Sequence, residues 1–173
     1  MKYFIINGRP RSGKDTFVNF CLEELGAFGK LISTVDFVKK IAIKCGWDGT
    51  KDSKNRKFLS DLKDLFSKFN DMPFNTTIKK VKEIIDEYDY YDIKENSYII
   101  FIHVREPEEI LRLVTKLNAV TLLIKRENNE IISNHADSLV NDYTYDYTIL
   151  NTGTLEELKK QVHQFLNYCG INK

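Results

Sequence analysis

The chain has 173 residues, 42% of them hydrophobic and 12% aromatic, and 26 Lys and Arg against 25 Asp and Glu give a net charge of +1. This composition is typical of a globular protein with a sizeable core, and it excludes a disordered chain. The near-neutral charge argues against nucleic acid as a bulk ligand, and no apolar run approaches the roughly 20 residues that span a bilayer.

The apolar pattern predicts strands that alternate with helices. The predicted strands are residues 3–7, 31–35, 97–104, 119–124 and 145–150. Helices are predicted at 14–25, from Pro107, and from a capping box that begins at Thr154, and the block 36–96 is predicted to be a helical insert. This order indicates an α/β fold with a five-stranded parallel sheet and an insert between strands 2 and 3.

A glycine-bearing motif, G-x-x-x-x-G-K, lies between the first strand and the first helix. Its residues are Gly8, Arg9, Pro10, Arg11, Ser12, Gly13 and Lys14. In this context the backbone N–H groups surround phosphate oxygens, the helix N-terminus adds partial positive charge, and the lysine reaches the terminal phosphates. The motif therefore predicts a nucleotide-binding site.

The residue after the lysine departs from the usual motif, which has Ser or Thr there to hold Mg²⁺. Asp15 occupies this position and Thr16 follows. A carboxylate beside a triphosphate needs a cation between them, so one interpretation is that Asp15 helps to hold Mg²⁺ through water. The other is that Asp15 is a first-turn acid favoured by the helix dipole.

The run R-S-G-K-D-T, from Arg11 to Thr16, resembles the phosphate-binding loop of the phage-type deoxynucleoside monophosphate kinases. It is also similar, less fully, to that of the animal-type phosphomevalonate kinases. The resemblance implies a three-layer P-loop sandwich that uses ATP and Mg²⁺. It also implies that Thr16 touches the α-phosphate and that Arg11 lies near the transferred phosphoryl group.

Three further segments are similar to elements of these kinases. Residues 36–40 resemble the start of the substrate-binding helices, with Asp36 as the acceptor contact, and 104–109 resemble a strand-end element that carries Arg105. Residues 146–158 resemble the last strand and the adenine-contacting loop, in which Asn151 and Gly153 lie. The block from about 50 to 96 is poorly matched.

The acid that these kinases place at the end of the third strand is replaced by His103. His103 is interpreted either as a catalytic or substrate contact or as a packed, hydrogen-bonded histidine. The sequence therefore assigns no general base.

Polar side chains follow the predicted strands at the edge where parallel sheets bind ligands. Arg105 and Arg126 are suited to bidentate phosphate contacts, with ordinary surface arginines as the alternative. Arg126 also begins a polar run, and we predict a short lid over about residues 125–138.

Charge is unevenly distributed along the chain. Residues 36–82 hold 11 Lys and 1 Arg against 6 Asp, a net charge of +6, and residues 83–96 carry a net charge of −5. The basic block predicts an attraction for an anionic substrate. The candidates at the start of its central helix are Lys51, Lys54, Arg56 and Lys57. The alternative for most of these lysines is a solvated helix face.

The sequence predicts a single-domain kinase over residues 1–173 that transfers the γ-phosphoryl group of ATP to a phosphorylated small molecule, most simply a (deoxy)nucleoside monophosphate. Lys14, Arg11 and Arg105 are the predicted catalytic residues, and Asp36, Arg56, Arg105 and Arg126 the predicted acceptor contacts. The rival hypotheses are a kinase of another metabolite and an ATP-binding regulatory module with little turnover. Since three scattered cysteines fit neither a disulfide framework nor a metal site, we expect a cytoplasmic protein. We further expect a monomer or a homodimer.

Overall fold

The computed structural model of the protein describes residues 2–50, 52–91, 98–126 and 138–170. Its strands are β1 (Lys2–Asn7), β2 (Gly29–Ser33), β3 (Ile99–His103), β4 (Val120–Lys125) and β5 (Tyr147–Leu150). Its helices are α1 (Lys14–Leu25), α2 (Asp36–Lys44), α3 (Ser53–Asn70), α4 (Met72–Tyr90), α5 (Pro107–Leu117) and α6 (Leu155–Tyr168). Most of the predicted lid, residues 127–137, lies outside the described residues. None of the described helices combines the length and apolarity that crossing a bilayer requires.

The five strands form one sheet in the order β2-β3-β1-β4-β5, and every neighbouring pair is parallel. β1 lies at the centre, with Ile6 opposite His103 of β3 and Asn7 opposite Leu123 of β4. All five carboxyl ends therefore meet at one edge. The predicted parallel α/β sheet with a helical insert between strands 2 and 3 is confirmed.

The core has two halves, one on each face of the sheet. Phe4 and Ile6 of β1 pack with α1 and α6, whereas Ile5 packs with α4 and α5 on the opposite face. Helices cover both faces, which is why β1 is a continuous apolar run rather than an alternating one. This arrangement makes the molecule a three-layer sandwich.

The insert consists of α2, α3 and α4. The sequence predicts a helix breaker at residues 70–73, which contain Asp71 and Pro73. Asp71, with φ of 55°, separates α3 from α4 there, and its carboxylate pairs with the Arg112 guanidinium of α5. The acidic run at residues 86–92 predicts a surface turn, but this is wrong for residues 86–90, which continue α4. Tyr88 is the reason, because its buried ring stacks on Tyr98 at 4.2 Å between centroids and its hydroxyl donates to the Ala27 carbonyl.

The sequence predicts one apolar stripe for the inner face of α3, and the structure differs from it. The stripe consists of Phe58, Leu59, Leu62, Leu65, Phe66 and Phe69. Phe58, Leu65 and Phe69 of that stripe are exposed, to 38%, 62% and 78%. The buried residue of this helix is Lys63, only 5% exposed, which lies between Leu59 and Phe66 at helical spacing. The helix therefore buries a charged side chain at the centre of its contact with the core.

Lys63 joins the insert to the core through a buried polar cluster. Its Nζ lies 2.8 Å from Glu109 Oε2 and 3.0 Å from Glu106 Oε2, and the Thr34 hydroxyl donates to Glu109 Oε2 at 3.1 Å. Burial lowers the pKa of the Lys63 ammonium, but the two carboxylates outweigh burial and raise it above its usual value. Burial raises the pKa of the Glu109 carboxyl, and Lys63 offsets part of that rise.

Replacing Lys63 by Met should destabilise the protein strongly. The change leaves the buried Glu109 carboxylate without its ammonium partner, and breaking a buried pair in this way costs about 3–5 kcal/mol. The matched control is Lys68→Met on the exposed side of the same helix, which should change the free energy of unfolding by less than about 0.5 kcal/mol. Urea unfolding measures both, and equal effects would contradict a structural role for the cluster.

Candidate active site

The loop between β1 and α1 has the backbone shape of a phosphate cradle. Arg11 has φ of 63° and Gly13 has φ of 90°, so the chain turns twice through left-handed conformations. A Cβ on Gly8 would lie 2.6 Å from both the Ile124 carbonyl oxygen and the Ser12 hydroxyl. Glycine at position 8 therefore allows the loop to lie directly against β4.

Two buried asparagine side chains hold this loop in place. Asn7 accepts from the Gly8 N–H at 2.8 Å, and its amide donates to the Tyr145 hydroxyl at 2.7 Å and to the Arg105 carbonyl at 3.1 Å. Asn151 donates to the Ser12 carbonyl at 2.8 Å. Burial raises the pKa of Tyr145 to about 12, so its hydroxyl stays protonated at neutral pH. The loop is thus tied to the ends of the neighbouring strands.

The loop fits a polyphosphate. Helix α1 has no side-chain cap at Gly13, and the first-turn N–H groups of a helix have no partners within it. Ser12 Oγ is buried and has no hydrogen-bond partner among the described residues. Lys14 places its ammonium at the mouth of the loop, with its side chain 12% exposed. Uncapped amides, an unsatisfied hydroxyl and a cation are together the donor set that phosphate oxygens require.

A cleft of about 290 Å³ lies between this loop and the helical insert. Its cations are Arg11, Lys14, Lys39, Arg56, Lys63 and Arg105, and its acids are Asp15 and Glu106. Val35, Trp47 and Leu59 supply apolar walls. The cleft therefore combines a cationic lining with apolar walls. Such a lining suits a molecule with a phosphate group and a less polar body.

The cleft brings together seven of the residues that the sequence singles out. They are Pro10, Arg11, Lys14, Asp15, Arg56, His103 and Arg105. Lys54 and Lys57 do not line it, and Lys57 pairs with Asp61 on α3 at 2.6 Å. Lys51 lies outside the described residues.

Other predicted contacts lie elsewhere. Asp36 accepts from the Ser33 N–H at 2.9 Å and pairs with Lys39, and it does not line the cleft. Arg126 lies with Arg9 and Ser12 around a second hollow of about 50 Å³. Their roles as acceptor contacts remain predictions.

The adenine-contacting role of the loop after β5 also remains a prediction. Gly153 and Thr16 do not line the cleft. A Cβ on Gly153 would lie 2.0 Å from the Glu157 carboxylate, so this glycine makes room for the capping box of α6.

Asp15 and His103 face each other on the floor of the cleft. Asp15 Oδ1 lies 3.7 Å from His103 Nδ1 and 3.8 Å from Lys14 Nζ. Burial lowers the pKa of His103 to about 4; Asp15 opposes the shift, and Lys14 and other nearby cations add to it. The imidazole is therefore neutral at physiological pH.

Comparison with known proteins gives structural matches only. No protein-family model matches the sequence, and no curated protein matches it. The dephospho-CoA kinase of Campylobacter jejuni superposes with a TM-score of 0.53 at 13% identity over 97% of each chain. A sugar kinase from a Janibacter species superposes with a TM-score of 0.50 at 13% identity, over all of this chain and 99% of the other. The fold of the chain is therefore similar to that of these two kinases.

Sequence reasoning expected the insert to contribute through Arg56, but it did not single out Lys63 of α3 or Glu106, which precedes α5. Lys63 and Glu106 line the cleft, although the lysines of the insert were expected mostly on solvated faces. The signal was Lys63 at i+4 from Leu59 and i−3 from Phe66, within an apolar stripe. Trp47 is held at the edge because its indole N–H donates to the Thr50 carbonyl at 3.0 Å.

Gly13→Ala should destabilise the protein more than the same change at a glycine without close neighbours. Gly46 is the matched control, because its φ of 92° resembles the 90° of Gly13 and a Cβ there meets nothing within 4 Å. Gly46→Ala adds only backbone strain, about 1 kcal/mol. A Cβ on Gly13 would lie 2.2 Å from Asn151 Nδ2 and displace its buried hydrogen bond, for a total of about 2 kcal/mol or more.

Chemical denaturation measures the loss of unfolding free energy in Gly13→Ala and in Gly46→Ala. Equal losses of unfolding free energy would show that the contact between Gly13 and Asn151 does not constrain the loop.

Proposed function

We propose that the protein transfers a phosphoryl group from ATP to a small phosphorylated acceptor, most simply a (deoxy)nucleoside monophosphate. The observation that carries the proposal is the shared cleft: the phosphate-binding loop, the insert and the segment after β3 present Lys14, Arg56 and Arg105 to one cavity. Phosphoryl transfer is mostly positioning and charge stabilisation, and these are the groups that such chemistry uses.

On the donor side, the loop would hold the ATP phosphates. The amides at the start of α1, the Ser12 hydroxyl and the Lys14 ammonium would receive the oxygens, and Arg11 would lie beside the transferred group. Mg²⁺ neutralises charge on the phosphates when it is bound, and Asp15 would hold it. The loop geometry described above supports this role, because uncapped amides, an unsatisfied hydroxyl and an ammonium group belong to one short segment.

On the acceptor side, Arg56 and Arg105 approach from different elements, α3 and the segment after β3. Two guanidinium groups can hold a phosphate by paired hydrogen bonds in a way that lysines cannot. Trp47 and Leu59 would contact the less polar body of the acceptor. An acceptor phosphate is already ionised at neutral pH, so no general base is needed, in agreement with the absence of an acid at His103.

The structural matches support the reaction class rather than the acceptor. The two proteins named above are a dephospho-CoA kinase and a sugar kinase, whose acceptors differ. A P-loop kinase of another metabolite therefore remains the alternative acceptor hypothesis.

An ATP-binding module with little turnover is the second candidate. His103 on the cleft floor favours it, because an imidazole replaces the strand-end acid expected in a kinase of this type. Asp15, in place of the Ser or Thr that usually follows the loop lysine, points the same way.

Release of ADP measured with a panel of nucleoside monophosphates separates the two candidates. Turnover that depends on one acceptor supports the kinase, and ATP binding without acceptor-dependent turnover supports the module.

Lys14→Ala should lower kcat at least about 100-fold, because it removes a cation from the transferring group. Lys79→Ala, an exposed lysine on α4, is the control and should leave kcat unchanged.

Arg56→Ala should weaken the binding of the acceptor rather than the binding of ATP. Loss of a charge-assisted contact should raise the KM for the acceptor about tenfold or more while the KM for ATP stays within about twofold. The neighbouring Lys57→Ala is the matched control, since Lys57 pairs with Asp61 outside the cleft. Steady-state kinetics with each substrate varied in turn gives both values, and a rise in the KM for ATP alone would refute the assignment of Arg56.

A further inference from the structure

The separation of Asp15 and His103 is the observation behind a further inference. Oδ1 and Nδ1 are 3.7 Å apart, which is beyond hydrogen-bonding distance. Two donor atoms that each bind one cation at about 2.1 Å lie roughly 3 Å apart as neighbours and roughly 4.2 Å apart when opposite. The observed separation lies between these two values, so a shift of the exposed Asp15 carboxylate by less than about 1 Å would bring the two donors to the spacing of adjacent ligands.

We propose that the Asp15 carboxylate and His103 Nδ1 are two ligands of one divalent-cation site, and that its nitrogen donor makes the site favour Mn²⁺ over Mg²⁺. The inference rests on the proposed function, because the phosphates of the bound nucleotide supply further ligands. It adds to that function a second protein ligand and a metal preference.

Rigid elements position both donors. Asp15 lies in the first turn of α1, directly after the phosphate-binding loop; its side chain is 70% exposed to solvent, and the residue lines the cleft. His103 ends β3, where it lies opposite Ile6 of β1 and its carbonyl accepts from the Thr34 N–H at 3.3 Å. The sheet therefore fixes the imidazole beside the loop that would carry the nucleotide phosphates.

The imidazole presents one nitrogen to the site. Nε2 is buried and has no hydrogen-bond partner among the described residues, whereas Nδ1 faces Asp15. Lys14 and Arg11 line the same part of the cleft and would hold phosphate oxygens next to the two donors. A cation there would contact carboxylate oxygen, imidazole nitrogen and phosphate oxygen at once.

This mixed donor set determines which metal fits. Mg²⁺ prefers oxygen ligands and gives up its waters reluctantly. Imidazole nitrogen favours first-row transition ions, and Mn²⁺ accepts carboxylate oxygen as well. A carboxylate at position 103 would instead give an all-oxygen set suited to Mg²⁺.

Electron spin-echo spectroscopy of the protein with Mn²⁺ and ADP tests the site directly. We expect ¹⁴N modulation from the bound imidazole in the wild-type protein and its loss in His103→Asn. Mn²⁺ titration by electron paramagnetic resonance in the presence of ADP should show affinity reduced about tenfold or more in that variant. His163→Asn is the matched control, because His163 is 65% exposed and pairs with Glu24 away from the cleft.

The His103→Asp variant replaces the nitrogen donor by a carboxylate oxygen donor. It should remove the ¹⁴N signal but keep a metal site, with the ratio of Mn²⁺ to Mg²⁺ affinity shifted towards Mg²⁺. An unchanged ratio would overturn the proposed origin of the metal preference.

The remaining outcomes separate the two proposals. Binding of Mn²⁺ and ADP without ¹⁴N modulation in the wild-type protein, or modulation that persists in His103→Asn, would overturn the inference and leave the proposed function standing. No binding of Mn²⁺ with ADP would overturn both. The wild-type spectrum requires no variant, so it decides the matter even if a substitution at His103 prevents folding.

Discussion

The parallel pairing of β1 with β3 is the constraint on which the rest of the site depends. It brings the end of β1, where the phosphate-binding loop begins, beside His103 at the end of β3. The pairing is stabilised by burial on both faces, since Ile5 packs on one side and Phe4 and Ile6 on the other. The polar residues of the cleft thus sit on a frame whose stability comes from apolar groups elsewhere.

The insert is bound to this frame by charge as well as by apolar contact. Lys63 reaches from α3 to Glu106 and Glu109 at the start of α5, and Thr34 after β2 completes the cluster. Separating α3 from α5 would leave the buried Lys63 and Glu109 charges without partners, which would destabilise the folded protein. Because Arg56 lies on the same helix two turns earlier, the cluster also fixes where that guanidinium stands relative to the phosphate-binding loop.

Much of this architecture is readable from the sequence because the signals are local. The apolar run of β1, the glycine motif, the Thr154 capping box and the break at Asp71 each depend on neighbours within a few residues. Lys14, Arg11 and Asp15 belong to the same local motif, and all three line the cleft. The carboxyl-edge rule for parallel sheets brought Arg105 to the same cleft.

What the sequence did not reveal depends on partners far away in the chain. Burial of Lys63 requires Glu109, 46 residues later, and the extension of α4 through its acidic end requires Tyr98. In both cases tertiary contacts override what the local charge pattern predicts.

Trp47 gives the molecule a built-in optical property. It is the single tryptophan of the chain, and its indole lies at the cleft edge, anchored by the Thr50 carbonyl. Light that excites indole but not phenol is therefore absorbed at one place, next to where an acceptor would lie. With such excitation the nine tyrosines do not absorb, so the wavelength of the emitted fluorescence reports the polarity around Trp47.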